Sequence, residues 1–309
     1  MGNNGWARRS VSFTIAQTLD EALAALTAGA RPIAGGTDLV VGARQGKAPL
    51  PTSLVAIDRL NELALLESTD DGIRVGAGIT HARLMNDPMI LSDYTALADG
   101  AALVGSPSTR NLGTIGGNVM NASPAMDTGA PLMVLGAVVE IQSAQGSRVV
   151  ELSELWTGPG QTTAAADELC VAIALPPRPA MSGSAYVRLE YRRAMEIAVV
   201  GAAASVTLAE DGTISTGSVA LSAVAPTIIE VEGASALVAG KTPDDAAAVI
   251  GAAASDVAAP ISDVRASDGY RRHTVGVMAA RAMKAAARRA SGEMIGVPVN
   301  RAIGVGATL

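Results

Sequence analysis

Two glycine-rich turns constrain this chain more than any other feature. The first reads Pro32-Ile-Ala-Gly-Gly-Thr-Asp-Leu39 and the second Asn111-Leu-Gly-Thr-Ile-Gly-Gly-Asn118. Consecutive glycines let a backbone turn sharply and bring its N–H groups close to a ligand with no Cβ in the way, so such turns make concave anion sites. Thr37 and Thr114 each add a hydroxyl beside them. Two such turns in one domain could hold the two phosphates of a dinucleotide. Spacing alone fits tight turns at strand ends equally well, because glycine-rich turns occur in any fold.

Composition excludes several other classes. A length of 309 residues suggests two or three domains. A net charge of −6 argues against a nucleic-acid or anionic-membrane partner. Two Trp, four Tyr and one Phe are too few for a base-stacking platform. No apolar run reaches the ~18 residues of a membrane span, so no transmembrane segment is expected. Met1 to Ser10 carries Arg8 and Arg9 without an apolar stretch after them, unlike a signal peptide, and a cytoplasmic location is expected. Cys170 is the one cysteine and His81 and His273 the only histidines, too few ligands for a Cys/His zinc site or an iron–sulfur cluster on this chain. No serine sits in a G-x-S-x-G turn. An enzyme built on this chain would take its chemistry from a bound organic cofactor.

The order of elements reads as α+β. Thr18-Leu-Asp-Glu21 is a capping box opening a helix that Gly29 ends. Ile33-Ala34, Leu54–Asp58 and Ile73–Gly76 read as strands, and Thr80–Met85 as a helix start. The segment from Gly105 to Asn118 reads as a long glycine-rich loop, a type that is usually functional. A helix over about 127–136 follows, then a hairpin of Val138–Gln142 and Arg148–Glu151. Pro176-Pro-Arg-Pro179 marks a linker. Beyond it, Ala198–Leu208 and Ile214–Ala223 flank Asp211-Gly212 as a second hairpin, followed by helices at about 244–254 and 268–290. In the last helix Val275, Met278, Ala279, Ala282 and Met283 share one side, with Arg271, Arg272, Arg281 and Arg288 largely elsewhere. Past Ser291 no pattern is evident.

Other motifs have plain readings. Val75-Gly-Ala-Gly-Ile-Thr-His81 imitates a Rossmann fingerprint, but His81 stands at the third glycine and no acidic residue closes a βαβ unit. Ala239-Gly-Lys-Thr242 ends like a P-loop, yet Ser235 replaces its first glycine, and Lys241-Thr-Pro-Asp is simply a helix start. Asp127 suits either an N-cap or a carboxylate bonding a ribityl or ribose hydroxyl. Arg188, Arg192 and Arg193 read as a solvated strand edge, or as a cation beside a flavin where it would stabilise the reduced anion. His81 reads as a capping or hydrogen-bonded residue, and Cys170 as a small core hydrophobe.

Taken together, these segments resemble the FAD-binding medium subunit of the molybdenum hydroxylases, the family of xanthine and carbon monoxide dehydrogenases. The resemblance runs from about Phe13 to Arg289. Ala34-Gly-Gly-Thr-Asp-Leu39 resembles the family's first FAD loop and Thr114-Ile-Gly-Gly-Asn118 its second, with Asn121-Ala-Ser-Pro-Ala-Met-Asp127 after it. Val75-Gly-Ala-Gly-Ile-Thr80 resembles the family's strand-turn before a helix, Arg192-Arg-Ala-Met-Glu-Ile-Ala198 the opening of its C-terminal domain, and Tyr270-Arg-Arg272 the start of its last long helix. The resemblance implies an α+β fold: a vanillyl-alcohol-oxidase (PCMH)-type FAD-binding domain of two α+β lobes, followed by a C-terminal α+β domain. The FAD-binding domain would span 10–178, with lobes at about 10–65 and 66–178, the C-terminal domain 183–290, and a tail 291–309.

The same resemblance implies FAD bound non-covalently by Ile33, Ala34, Gly35, Gly36, Thr37, Asp38 and Leu39 from the first loop and Gly113, Thr114, Ile115, Gly116, Gly117 and Asn118 from the second. Ser123 and Asp127 would lie by the flavin's polar tail, and Leu169 and Cys170 where the family makes a backbone contact to the ring. Arg188 stands where the family often has lysine, and Val187 where it has an aromatic, so the guanidinium contact would differ. No residue of the chain would be catalytic in itself. The implied role is electron relay: substrate oxidised at a molybdenum cofactor on a large partner subunit, electrons passing through 2Fe–2S clusters on a small partner, and FAD here delivering pairs to a terminal acceptor, in a heterohexamer. Two other classes stay open on the sequence. One is a self-sufficient FAD-dependent oxidoreductase acting on a small substrate; the other is a non-catalytic nucleotide-binding subunit.

Overall fold

The computed structural model describes residues 11–46 and 48–304. Its larger sheets follow one another along the chain, each with a hydrophobic core on at least one face. The first sheet is parallel, with Ser53–Ala56 between Ser12–Ile15 and Arg31–Ile33. The helix Leu19–Thr27 makes the crossover, burying Ala22, Leu23 and Leu26 against Val55 and Ile57. Glu21 N–H donates to Thr18 Oγ1 at 3.2 Å as the capping box predicts, while the Glu21 carboxylate accepts from Gln17 N–H at 2.7 Å, one residue before the N-cap.

The second sheet is antiparallel, in the order Leu66–Thr69, Gly72–Gly76, Leu169–Leu175, Val138–Ser143, Gly146–Glu151. Its central strand joins the two lobes. A register shift between Cys170 and Ala172 leaves Leu169 and Val171 in the first lobe's core, while Cys170 and Ile173 enter the second's.

The glycine-rich middle is not the single loop its composition suggests. It holds two short helices, Pro107–Leu112 and Ile115–Asn121. Ser106 accepts from Thr109 N–H at 3.2 Å, with Pro107 in the first helical position, and Thr114 accepts from Gly117 N–H at 3.1 Å. Neither helix would persist alone at such length; caps and packing override the glycines. The next helix is Gly129–Val134, preceded by Thr128, so Asp127 is not its N-cap.

The last sheet is an antiparallel meander of Ser182–Leu189, Val200–Leu208, Ile214–Ser222 and Ile229–Glu230. Alternation along its strands gives it two buried faces. Ala185, Val187, Ala202 and Leu221 meet the helices Pro243–Val257 and Asp268–Ala290. Tyr186, Ala203 and Ala220 join the second lobe's core instead. Arg271 is buried with the apolar face of its helix, where its guanidinium donates to the carbonyls of Val199 at 3.0 Å and Ala223 at 3.1 Å and to Asp263 at 2.7 Å. The segment past Ser291 folds back onto the strand Ser182–Leu189 and forms a short helix, Val299–Ala302.

Candidate functional site

The fold brings the two glycine turns together. A Cβ placed on Gly35 would lie 1.8 Å from the carbonyl oxygen of Leu112 and 3.1 Å from the amide nitrogen of Gly113. One on Gly113 would stand 3.5 Å from Thr37 Oγ1. Backbone meets backbone here, and only glycine fits at position 35.

The first turn pivots on Gly36, whose φ of 68° is left-handed, and runs straight into the helix Thr37–Arg44. Its N-cap residue, Gly36, has no side chain with which to bond the first amides. Its first turn therefore suits an anion, which both the amides and the helix dipole favour. Ile33, Ala34, Gly35, Gly36, Thr37 and Leu39 are half-buried around it, with Asp38 exposed.

The second turn is built differently. Gly113 N–H donates to Thr109 O at 2.7 Å, Ile115 N–H to Ile79 O at 2.9 Å, Gly116 N–H to Ala77 O at 2.9 Å, Gly117 N–H to Thr114 Oγ1 at 3.1 Å and Asn118 N–H to Thr114 O at 3.0 Å. These amides are spent inside the protein and fix the turn as a rigid wall. A Cβ on Gly116 would meet Ala77 Cβ at 2.5 Å. From Gly113 onward, what this turn shows to solvent is Gly117 and the half-buried side chain of Asn118, whose Oδ1 accepts from Thr128 Oγ1 at 2.6 Å.

His81 lies behind the junction. Its N–H donates to Gly113 O at 3.1 Å, and its Cδ2 lies 3.4 Å from where a Gly113 Cβ would be. The ring is buried, and among the described residues Nδ1 has no hydrogen-bond partner. Burial, helped by the nearby Arg110 charge, lowers its pKa to about 4. The capping role suggested by sequence falls to Thr80, which accepts from Arg83 N–H at 3.3 Å.

Asp127 and Arg188 are locked to each other rather than solvated. Arg188 is fully buried; its Nη1 lies 2.6 Å from Asp127 Oδ2 and its Nη2 2.7 Å from Glu190 Oε2. Tyr186 Oη donates to the other Asp127 oxygen at 3.0 Å. Burial pushes the Asp127 carboxyl up, and Arg188 and Tyr186 pull it back. Burial also works against the Arg188 charge, but Asp127, Tyr186 and Glu190 more than restore it, so the guanidinium stays charged. Ser123 Oγ accepts from Ala125 N–H at 3.3 Å and is half-buried. Leu169 and Cys170 are buried where the lobes join, and burial pushes the thiol up to about 12, so it is unreactive.

Sequence reading missed Tyr186, Glu190 and Asn300. The first two could have been found, because period-two alternation puts Tyr186, Arg188 and Glu190 on one side of a strand whose other side carries Ala185 and Val187. Asn300 gave no signal.

A turn only glycine can make, backed by a second glycine turn and flanked by an uncapped helix, fits a dinucleotide-binding module. The comparisons with known proteins agree. Residues 9–178 match the family model described as the FAD binding domain in molybdopterin dehydrogenase, and residues 185–286 that of the CO dehydrogenase flavoprotein C-terminal domain. The chain is 32% identical over 289 residues to a putative xanthine dehydrogenase FAD-binding subunit of Escherichia coli K12, covering 92% of this chain and 98% of that one. It is 30% identical over 262 residues to the carbon monoxide dehydrogenase medium chain of Afipia carboxidovorans, covering 84% and 90%. Reconstituted CO dehydrogenase from Oligotropha carboxidovorans superposes with a TM-score of 0.85 at 30% identity, over 91% of this chain and 98% of that one. The chain belongs to the family of FAD-binding medium subunits of the molybdenum hydroxylases, and it is an oxidoreductase flavin subunit. Among the described residues, no helix is long and apolar enough to cross a membrane.

Proposed function

We propose that this chain is the flavin subunit through which electrons from 2Fe–2S clusters on a small partner reach a terminal acceptor, the substrate being oxidised at a molybdenum cofactor on a large partner. The observation that carries the reading is the contact of Gly35 with the Leu112 carbonyl, which joins the two glycine turns into one cradle. FAD, when bound, supplies one- and two-electron chemistry that no side chain can. The protein's own contribution is binding and orientation. Residues 33–39 would receive the diphosphate at the uncapped helix start, with the turn 113–118 as the wall behind it. Asn118, Ser123 and Asp127 would meet the polar tail, the backbone at Leu169 and Cys170 would border the ring, and the buried Arg188 cation would act from behind Asp127, which it holds at 2.6 Å. Binding would be non-covalent, and the assembly would hold two copies of each subunit. The lone, buried Cys170 supports placing the clusters on another chain.

Purification of the native protein tests this. The expected result is a yellow complex with one larger and one smaller subunit, losing its flavin to the supernatant on acid precipitation. A lone, fully active polypeptide would favour self-sufficient oxidation. A colourless chain that retains a nucleotide would reduce it to a binding subunit, and a yellow precipitate would overturn non-covalent attachment.

A further inference from the structure

The strand Ser182–Leu189 is the open edge of its sheet, and side chains close that edge in place of a further strand. Ser184 O accepts from Thr95 Oγ1 at 2.7 Å and from Arg289 at 2.8 Å. Tyr186 N–H donates to Asp99 at 3.2 Å. At Arg188 the partner comes from the C-terminal segment. Arg188 N–H donates to Asn300 Oδ1 at 3.0 Å, and Asn300 Nδ2 donates to Arg188 O at 2.8 Å. One buried amide thus satisfies both backbone groups of a buried arginine. The neighbouring Val299 N–H is anchored on Asp99 at 2.8 Å, which fixes where Asn300 sits.

Arg188 is the next-to-last residue of its strand, and the chain from Tyr191 to Ala194 is bent and exposed. Without Asn300, an N–H and a C=O would be left buried and unpaired at the point where the strand is about to fray. The guanidinium that holds Asp127 at 2.6 Å would lose its fixed base. We propose that Asn300 is a positioning residue of the cofactor site: it pins the Arg188 backbone so that the Arg188–Asp127 pair keeps one geometry, and this makes the C-terminal segment part of the flavin site. This rests on the reading that Asp127 meets FAD with Arg188 behind it.

The experiment compares the full chain with its Asn300→Ala, Asn300→Asp and Val299→Ala variants. Each is stripped of flavin and retitrated with FAD, and urea stability is measured on the stripped form. Val299→Ala keeps the backbone N–H that Asp99 anchors and removes only buried side-chain packing from the same short helix, so it costs stability while the clamp stays anchored. Asn300→Ala should weaken FAD binding about tenfold. Asn300→Asp keeps the acceptor for Arg188 N–H and should lose less. Val299→Ala should lose stability with FAD affinity within about twofold of wild type. Wild-type affinity in Asn300→Ala, or an equal loss in Val299→Ala, overturns the positioning role. If Asn300→Ala does not fold, wild-type affinity in Asn300→Asp overturns it in the same way, and a loss beyond that of Val299→Ala supports it. A wild-type chain that takes up no FAD overturns the flavin reading itself, and the proposal with it.

Discussion

The His81 ring is tolerated only while neutral. It is buried against the glycine junction with Nδ1 unpaired among the described residues, and its pKa lies near 4 against an ordinary 6.5. Between those values the unfolded chain takes up a proton that the folded protein refuses, so stability is full above pH 6.5 and falls as the pH drops toward 4. From pH 7 to pH 5 the loss from this one residue should be about 2 kcal/mol. Urea midpoints measured at both values check it: His81→Leu, which has nothing to protonate, should lose less stability than wild type over that interval. Equal losses in the two proteins would mean that the folded protein protonates the imidazole as readily as the unfolded chain does.

At the scale of elements, two glycines near one helix should respond in opposite ways. Gly42 lies inside Thr37–Arg44 with no atom of the described residues within 4 Å of where a Cβ would stand, so Gly42→Ala should gain about 0.5–1 kcal/mol from helix propensity alone and leave FAD binding intact. Gly35→Ala would force a Cβ to 1.8 Å from the Leu112 carbonyl, parting the two turns and abolishing flavin uptake. Flavin content and urea midpoints of the two variants check the contrast. The sequence made legible those elements whose pattern is local. The helix after Thr18, the hairpin around Gly146 and the long strands either side of Gly212 all appear where period and turn chemistry put them. The central strand Leu169–Leu175 did not show, because a strand covered on both faces is a continuous apolar run without alternation. The helices inside the glycine-rich segment were hidden because a few caps and tertiary contacts outweigh propensity there. At the site, the glycine turns were legible as a pair, but their contact was not. Nor was the burial of Arg188, which depends on Asp127 and Glu190 meeting it from distant and adjacent parts of the chain.

Across the whole molecule, the FAD-binding and C-terminal parts are held by ionic joints set in a shared core. Asp99, on the helix Thr95–Leu103, is fully buried and accepts from Arg289 at 2.6 and 3.1 Å, from Tyr186 N–H at 3.2 Å and from Val299 N–H at 2.8 Å. These donors come from the last long helix, the edge strand and the C-terminal segment. Asp99→Asn keeps the shape but leaves the Arg289 charge, with its side chain 6% exposed, short of a counter-ion. Removing one partner of a buried pair costs about 3–5 kcal/mol, because the remaining charge stays desolvated. The form of the unfolding curve follows from the packing. Tyr186, Ala203 and Ala220 of the last sheet belong to the same core as Ile173 and Leu132 of the second lobe, so parting them uncovers apolar side chains on both sides, although the face under the last two long helices stays covered. Asp99→Asn should therefore unfold in one transition, with a lower urea midpoint and an unchanged slope. Far-ultraviolet circular dichroism against urea measures both quantities. A curve that splits into two steps would show that the ionic joint, and not the shared apolar face, is what makes the molecule cooperative.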